Sequence, residues 1–485
     1  MKPFRLPAPI DGINLRKAPH ELAPTEARVL ENYLIFDWGI RECGNTGTLT
    51  NPGTSAKPVK TIIPFKSVTG TAKQLICTTD KVYVTSSSSW GSTTDKTGAL
   101  TITLGTWQYE YFNKKIFLHN GTDDALVYDI AGDTLTASGF TGLSPDDQVL
   151  IAPWNYKNRL YSIEQSNPRF AYTNSNDAVS GAMTLIDLAP VLLQTGPLLF
   201  GTGWSVNQGV ANEELCVFVS AMGDVLVYSG DNPSADNWQL VSRVSIPMPL
   251  GNRAFLRFGQ DVLIVTTRGV VSLARVVTAQ EKREEYFVIS SKLGNSFTGA
   301  NVKPAVDPRQ PFIYFAGASA GVVYILNYER GAWSTMTLPA NSINSLAFFD
   351  SGTEGQYLIV GQSDGSVIRV DDSGGNSMAH TWRPGYMDFG SAQKKKISAI
   401  RVIGRNISGS DLFSNTINIA SEMNDATPSV ADTRTTTGIG TYYTYQELQP
   451  SGIGKFVCPM FAKASTGERN EINGAEIYYE EGGFH

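Results

Sequence analysis

Short apolar segments occur in pairs between residues 72 and 372, and a tight polar turn separates the two members of most pairs. The segments are rich in β-branched and aromatic residues in alternation, which is typical of strands with one buried face. They recur roughly every 40 to 55 residues, so the pattern indicates an internal repeat of β-hairpins. The segments are Gln74–Asp80 with Lys81–Val84, Lys115–Leu118 with Ala125–Tyr128, Arg159–Ser162 alone, Leu215–Val219 with Val225–Tyr228, Val262–Val265 with Val270–Leu273, Phe312–Phe315 with Val322–Ile325, and Tyr357–Val360 with Val367–Val370.

Glycine marks the turns of four of these hairpins. Gly223, Gly269, Gly321 and Gly365 each stand between the two apolar segments of a pair. A two-residue hairpin turn needs a positive φ at one or both central residues, and glycine adopts it without steric cost. We therefore predict antiparallel hairpins at these four positions.

A lone hairpin is barely stable in water, so the copies must bury their faces against one another. Radial stacking around an axis gives a β-propeller, and about six or seven units usually close such a ring. We predict an all-β fold with a β-propeller of about six or seven blades over residues 51–380. Residues 1–50 would form an extended N-terminal arm and a first strand, and residues 381–485 an additional C-terminal β module.

Composition fits a large protein rich in short strands. The chain has 485 residues, of which only 17% are charged, and a net charge of −6. Its overall charge argues against a generic nucleic-acid clamp, which would be basic.

Met1–Pro9 lacks the apolar segment of a signal peptide. Leu188–Phe200 is interrupted by Pro190 and Pro197 and is shorter than the roughly 20 residues that a membrane span needs, so we expect no membrane insertion.

The two ends of the chain differ from the repeat. We predict a short helix after an extended arm, because Pro24 stands where a helix begins, Thr25 can cap it, and Ala27–Glu31 continues the pattern. Tyr33–Arg41 is predicted to be a strand that enters the propeller. The arm would either add a strand to the last blade and close the ring, or dock on a partner.

Beyond about Ser373 the strands are separated by longer loops rich in Gly, Ser and Thr. This spacing fits a small sandwich or an elaborated sheet at the side of the propeller, although some of the strands could complete the last blade. The predicted strands are Trp382–Gly390, Lys396–Gly404, Thr416–Met423, Gly440–Gln446, Lys455–Ala464 and Gly474–Tyr479.

No catalytic, cofactor-binding or metal-binding residue is predicted. Gly201–Gly209 lacks the spacing of a dinucleotide-binding loop and is interpreted as a loop, and Asp350–Gly355 lacks the alternating ligands of a calcium loop. The four histidines belong to no metalloprotease or triad motif. Cys77 and Cys216 are interpreted as small buried apolar residues. The remaining candidates are the histidines His20, His119, His380 and His485, the cysteines Cys43 and Cys458, and the carboxylate pairs Asp123–Asp124, Asp146–Asp147 and Asp371–Asp372, which are assigned to turns.

Two charged clusters have a structural and a functional interpretation. Gln280–Tyr286 is a mixed-charge insertion that would be a solvated loop or short helix, or else a contact between subunits. Lys394–Lys396 begins a strand, and lysines at an exposed edge would prevent unwanted pairing. Contact with phosphate is the functional alternative for the three lysines.

Several phrases of the sequence lie outside the hairpin signals or overlap them only in part. They are Pro9–Leu15, Leu22–Asn32, Gly39–Arg41, Val227–Trp238, Gly269–Leu273 followed by Ile289–Lys292, and Met387–Gly390 followed by Lys395–Ile397. Together these phrases resemble tail proteins of short-tailed bacteriophages, and in particular the nozzle family that stabilises packaged DNA. The likeness spans most of the chain and carries no active site.

This resemblance implies a structural virion protein of propeller type that assembles as a homohexameric ring below the portal and adaptor. Its partners would be the tail adaptor, the tail needle or the tailspike and fibre proteins, and double-stranded DNA that passes through the lumen without sequence-specific binding. From the net charge we expect a repulsive, acidic lumen wall along which DNA can slide.

Two other classes of function remain open for a propeller of this size. A binding module, or a carbohydrate-active enzyme, would bring polar residues together at the mouth of the axial channel. A monomeric scaffold would instead hold a peptide on one face.

Overall fold

A computed structural model shows an almost entirely β-stranded chain. It describes residues 1–485 except 51, 54–56, 86–92, 144–145, 208–211, 279–286, 351–354, 373–377, 407–411, 421–428, 438–443, 449–451, 464–468 and 483–485. Across the described part of the chain, no helix is long and apolar enough to cross a membrane. The N-terminal strands are β1 (Lys2–Pro7), β2 (Gly12–Ile13), β3 (Glu26–Ala27), β4 (Val29–Glu31), β5 (Tyr33–Phe36), β6 (Gly39–Glu42) and β7 (Asn45–Thr50).

Seven antiparallel sheets follow one another along the chain and form the blades of a β-propeller. The first blade consists of β8 (Val59–Lys66), β9 (Ala72–Thr78), β10 (Val82–Thr85) and β11 (Thr93–Asp95), and the second of β12 (Gln108–Phe112), β13 (Lys115–His119), β14 (Leu126–Asp129) and β15 (Thr134–Ala137). The third consists of β17 (Leu150–Tyr156), β18 (Arg159–Glu164), β19 (Arg169–Thr173) and β20 (Gly181–Asp187), preceded by β16 (Phe140–Thr141). The fourth consists of β21 (Leu198–Asn207), β22 (Asn212–Ser220), β23 (Asp224–Ser229) and β24 (Gln239–Ser245). The fifth blade consists of β25 (Phe255–Phe258), β26 (Asp261–Thr266) and β27 (Gly269–Ser272). The sixth consists of β28 (Ala305–Val306), β29 (Phe312–Ala316), β30 (Val322–Asn327) and β31 (Ala332–Thr337), and the seventh of β32 (Ile343–Asp350), β33 (Gln356–Gln362) and β34 (Val367–Asp372).

The fifth blade has three strands, and a short helix α1 (Leu273–Thr278) follows its last strand. Short 3-10 helices occur at Asp147–Val149, Ala189–Val191 and Ser291–Ser296. The hairpin turns predicted from glycine are confirmed, since Gly223, Gly269, Gly321 and Gly365 all have a positive φ.

Apolar clusters between adjacent blades hold the ring together. Each cluster draws buried side chains from two or more neighbouring sheets, so every blade has apolar neighbours on both of its faces. The pairs that share a cluster include Ile63 with Ile116, Phe117 with Leu160, Phe170 with Phe218 and Val219 with Ile264, Leu263 with Ile313, Tyr314 with Leu358, and Ile359 with Ile62. The last pair joins the seventh blade to the first, so the ring is closed.

The seventh blade takes its fourth strand from the N-terminal part of the chain. Strand β7 pairs antiparallel with β34, with Thr48 opposite Ile368 and Thr46 opposite Val370. Closure therefore comes from residues 45–50, and the alternative in which C-terminal strands complete the last blade is not observed. The arm before β7 has another place, because β1 pairs with β42 of the C-terminal module.

The C-terminal module consists of two sheets. One contains β1, β5, β6, β36, β39, β40 and β42, and the other extends the sixth blade through β4, β35, β41, β37 and β38. Trp382 and Phe461 stack at 4.4 Å between ring centroids in the second sheet. The C-terminal strands are β35 (His380–Arg383), β36 (Lys395–Asn406), β37 (Leu412–Ala420), β38 (Ser429–Thr437), β39 (Thr444–Leu448), β40 (Gly452–Gly454), β41 (Cys458–Lys463) and β42 (Asn470–Glu481).

The helix predicted after Pro24 is wrong. The N–H of Ala23 donates to Glu26 Oε2 at 3.1 Å, as at a helix start, but the turn does not continue. Glu31 in β4 pairs with Thr335 of the sixth blade and with Thr381 of β35. Pairing on both sides satisfies the backbone as a strand, and this tertiary context overrides the local helical preference.

The prediction of one strand over Tyr33–Arg41 is also wrong. These residues form the hairpin β5–β6, in which Phe36 pairs with Gly39. The hairpin lies in the C-terminal module, where β6 pairs with β42. A side chain at Gly39 could not be accommodated, because its Cβ would lie 2.3 Å from the carbonyl oxygen of Ile472.

A buried ion pair joins the N-terminal segment to the C-terminal module. Lys463 Nζ lies 2.8 Å from Glu42 Oε2, and both side chains are almost completely excluded from solvent. The N–H of Asn470 donates to the same carboxylate at 2.9 Å. Removing one partner of such a pair leaves an uncompensated buried charge.

Glu42→Gln is therefore expected to lower the free energy of unfolding by about 3 to 5 kcal/mol, as measured by chemical denaturation. The control Asp350→Asn breaks the exposed pair with Lys66, whose N–O distance is 3.2 Å, and should cost no more than about 1 kcal/mol. Equal losses in the two variants would show that the buried pair does not stabilise the junction.

Candidate functional site

The innermost strands of the blades converge on a cavity of about 320 Å³ at the axis of the propeller. Such a volume is that of a small-molecule pocket. Because each blade presents its first strand, or the loop before it, to the axis, residues far apart in sequence meet here. The polar and charged residues of the lining are Thr61, Gln108, Glu110, Asn155, Thr202, Asn252, Arg253, Arg257, Lys303, Asn344 and Ser345.

Arg253 reaches across the axis from the loop before β25. Its Nη1 donates to the carbonyl oxygens of Lys60 at 3.2 Å and Asn344 at 3.3 Å, which belong to the first and seventh blades. Its Nη2 donates to the carbonyl oxygen of Asn301 at 3.0 Å. Its Nε is buried without a hydrogen-bond partner. Burial lowers the pKa of Arg253 to about 10, because no carboxylate stabilises the charged form here.

The other charges of the cavity are partly balanced. Arg257 Nη2 lies 3.3 Å from Glu214 Oε1 at the fourth blade. Lys303 Nζ lies 4.3 Å from the centroid of the Tyr109 ring, a cation–π contact. Burial raises the pKa of Glu110 to about 6, although the positive charges of Lys303 and Arg257 oppose the shift.

Aromatic side chains form part of the cavity wall. Trp154 packs against Gly201, where a Cβ would lie 2.4 Å from the indole ring. Phe255 stacks on Phe200 with ring centroids 3.9 Å apart. The interpretation of Gly201–Gly209 as a loop is wrong for its first part, because residues up to Asn207 belong to β21, the innermost strand of the fourth blade.

This arrangement can bind a polar ligand through charge and hydrogen bonds. No histidine or cysteine of the described residues lines the cavity. Across the described ranges, no group of three or more His, Cys, Asp or Glu side chains could hold a metal ion.

The residues of the cavity were not identified from the sequence. Glu110, Arg253 and Lys303 are separated by long stretches of chain, and each resembles an ordinary solvated charge when read locally. Their shared position offers a usable signal, since each lies in or just before the first strand of a repeat. In a propeller the first strand lines the axis, so charged residues at that position deserve priority.

Two of the candidate histidines are core residues. His119 is buried, its Nδ1 lies 3.1 Å from Ser162 Oγ, and burial lowers its pKa to about 3. His380 is also buried, its Nε2 lies 3.1 Å from the carbonyl oxygen of Cys43, and burial lowers its pKa. His20 is exposed, and His485 lies outside the described residues.

The predicted turn roles of two carboxylate pairs agree with the geometry. Asp123 accepts hydrogen bonds from the N–H of Thr103 at 3.0 Å and from Asn120 Nδ2 at 2.8 Å. Asp147 accepts from Ser138 Oγ at 2.5 Å. The assignment of Asp371–Asp372 to a turn is wrong, because both residues belong to β34.

The lysine cluster is not a uniformly solvated edge. Lys395 is buried, and its Nζ donates to the carbonyl oxygens of Ser391 and Lys455. It starts β36, which has neighbours on both sides, β42 and β40. Burial lowers the pKa of Lys395. Only Lys394 and Lys396 are exposed, so the edge interpretation is wrong for the central lysine.

The thiol groups of the four cysteines are buried, which makes them unreactive. Cys77 and Cys216 are buried in strands as predicted, and burial raises the pKa of both. Cys43 and Cys458 are also buried, and neither forms a disulfide with another described residue. The cluster Gln280–Tyr286 and most of the Asp350–Gly355 loop lie outside the described residues.

No protein-family model matches this chain, and no curated protein matches it. Among solved structures it is similar to a computationally designed protein, Ika8, with 11% identity over 67% of this chain and 98% of that chain, at a TM-score of 0.39. It is also similar to the extracellular domain of a putative hybrid two-component system from B. thetaiotaomicron, with 12% identity over 70% of this chain and 43% of that chain, at a TM-score of 0.45. At these identities and TM-scores, neither likeness bears on what the chain does.

Glu110 should make stability depend on pH. Its pKa of about 6 lies above the ordinary 4.5, so the folded state retains a proton that the unfolded state loses. The free energy of unfolding should therefore fall as pH rises from about 4.5 to about 6. Glu110→Gln mimics the protonated form, and we expect it to stabilise the protein at pH 7.5 by up to about 2 kcal/mol.

The measurement is chemical denaturation at a series of pH values. The control Glu329→Gln removes an exposed carboxylate at the outer part of the sixth blade, and its effect should stay within about 0.5 kcal/mol. A Glu110→Gln protein that is less stable than the parent at pH 7.5 would contradict the prediction.

Proposed function

We propose that this chain is a structural subunit of the ring-shaped tail nozzle of a short-tailed bacteriophage. In this role it would lie below the portal and adaptor, stabilise packaged DNA and conduct it during ejection. The resemblance of several sequence phrases motivates the proposal. The occluded axis of the propeller and an apolar patch on its outer rim support it.

Three of the resembling phrases lie at the junction of the propeller and the C-terminal module. Lys292 Nζ donates to the carbonyl oxygen of Asp11 at 3.1 Å, which ties two phrases together. Phe389 packs on Phe4 at 4.7 Å and on Tyr479 at 4.5 Å between ring centroids. The phrases thus coincide with contacts that hold the two parts of the fold in place, as expected for a shared architecture.

The axis of one propeller is too obstructed to carry DNA. Arg253 spans it, and the cavity of about 320 Å³ is of small-molecule size. A duplex, whose major groove alone is about 12 Å wide, must therefore pass between subunits. A closed cyclic oligomer supplies such a passage, and the resemblance implies about six copies.

The observation that carries the proposal is an apolar patch on the outer rim of the fourth blade. We name it the blade-four rim, and it holds five of the twelve large apolar side chains that are exposed in the described chain. Exposed patches of this kind mark sites of protein association. The residues of the blade-four rim are Leu193, Met222, Leu240, Val241 and Met248.

Two hydrogen bonds hold the segment around Leu193 against the outer part of the blade. Arg243 of β24 donates to the carbonyl oxygen of Val191 at 3.0 Å, which brings the segment before Leu193 against the strand. The N–H of Gln194 donates to Asp224 Oδ2 at 2.7 Å, close to Met222. Strand β24 is the outermost strand of its blade. We assign the rim to the contact with a neighbouring copy, because a head-to-tail contact between different surfaces of identical subunits closes into a ring.

Six copies at a net charge of −6 each would carry a total on the order of −36. Acidic groups at the lumen would repel phosphates and let DNA slide, whereas a basic wall would bind it with release of counterions. The adaptor above the ring, and the needle or the tailspike and fibre proteins below it, would occupy the remaining surfaces.

Assembly can be tested by size-exclusion chromatography with light scattering, with the purified protein alone and with the adaptor protein. We expect a ring, and we expect Val241→Asp to prevent it, since a charge would be buried in the contact. Val241 is 52% exposed, so the substitution should leave the fold intact.

Val68→Asp is the matched control, because Val68 is also exposed, at 65%, but lies between β8 and β9 of the first blade. It should assemble as the parent does. A parent that stays monomeric even with the adaptor would refute the nozzle proposal. A Val241→Asp protein that still forms the ring would refute the role of the rim alone.

A further inference from the structure

We propose that the axial cavity of the propeller is a binding site for a small anion that carries a phosphate or carboxylate group. This site lies inside each subunit and is independent of the proposed nozzle role. The proposal rests on the charges of the cavity, the unsatisfied donor of Arg253 and the access to solvent.

The first observation is an uncompensated cation. The two Nη atoms of Arg253 donate to three backbone carbonyl oxygens, which satisfy hydrogen bonds but supply no formal negative charge. Arg253 is half-buried, and a partly desolvated charge without a counter-charge is costly. An anion in the cavity would remove this cost, and the charge-assisted hydrogen bond is among the strongest that a protein offers.

The second observation is an unused hydrogen-bonding capacity that faces a ligand-sized space. Arg253 Nε is a buried donor without a partner, and Arg253 lines the cavity. Buried polar atoms are almost always paired in proteins, so an unpaired donor at this cavity points to a missing acceptor.

The third observation is the excess of positive charge. Three cations, Arg253, Arg257 and Lys303, line the cavity together with one carboxylate, Glu110. Glu214, which is not part of the lining, forms an ion pair with Arg257. This leaves the positive charge of Arg253 without a balancing carboxylate among the described residues.

A ligand can reach these groups. Lys303 and Arg257 line the cavity and are exposed, so the cavity opens to solvent where they lie. A space of about 320 Å³ admits a compact anion and lies at the lower end of the range for ligand pockets. The aromatic wall at Trp154 and Phe255 would pack against an apolar part of the ligand.

The test is a calorimetric titration of the full-length protein at constant ionic strength with three probes: inorganic phosphate, malonate and glucose. We expect saturable binding of phosphate, malonate or both, and none of glucose. Preference between the two anions identifies which acidic group the site takes. Binding of glucose equal to that of the anions, or no saturable binding of either anion, would overturn the proposal.

Variants then locate the site. Arg253→Met should weaken anion binding about tenfold or more, because it removes a charged donor. Lys303→Gln should also weaken binding, and because Lys303 is exposed, this variant keeps the test valid if Arg253→Met fails to fold. Glu110→Gln should tighten binding, since it removes the negative charge in the cavity.

Lys66→Gln is the control for net charge, because Lys66 is exposed and pairs with Asp350 away from the cavity lining. It should bind the anion as the parent does. An affinity that is unchanged in Lys303→Gln and Glu110→Gln, or lowered equally in Lys66→Gln, would place the anion elsewhere and overturn the proposal.

Discussion

The structure depends on the burial of both faces of every blade. Each blade carries apolar side chains on both faces, and these are buried mainly against the sheets before and after it. The contact between Ile359 of the seventh blade and Ile62 of the first completes the circle. Strand β7 then adds a hydrogen-bonded edge to the last blade, so the N-terminal segment fixes the ring at the point where it would open.

The same constraint creates the cavity. Seven sheets packed around an axis cannot bring their first strands into contact at the centre, and the space left there is filled by side chains from every blade. Arg253 crosses that space and joins the first, sixth and seventh blades through main-chain carbonyl groups. One residue thereby braces the ring and leaves in the axial cavity a positive charge that no carboxylate of the described residues balances.

Local signals in the sequence were sufficient to predict the hairpins of the blades, but they were insufficient to predict which residues line the cavity. Gly223 and the apolar segments around it specify a hairpin without reference to the rest of the chain. The turn at Ala23–Glu26 also has the hydrogen bond expected at a helix start. The residues after it nevertheless form a strand, because strands distant in sequence pair with them. Lys395 looked like an edge residue because its covering strands come from much later in the chain. Glu110 and Arg253 meet only because the ring closes.

The pairing of β7 with β34 joins residues that are more than 300 positions apart. During synthesis, the closing strand emerges first and must wait, unpaired, until the last blade has left the ribosome. Contacts of such high sequence separation fold slowly, and the exposed strand edges of the incomplete ring favour aggregation during that interval. The ring can therefore be completed only after Asp372 has been translated, and a nascent chain that stops before this residue cannot close it.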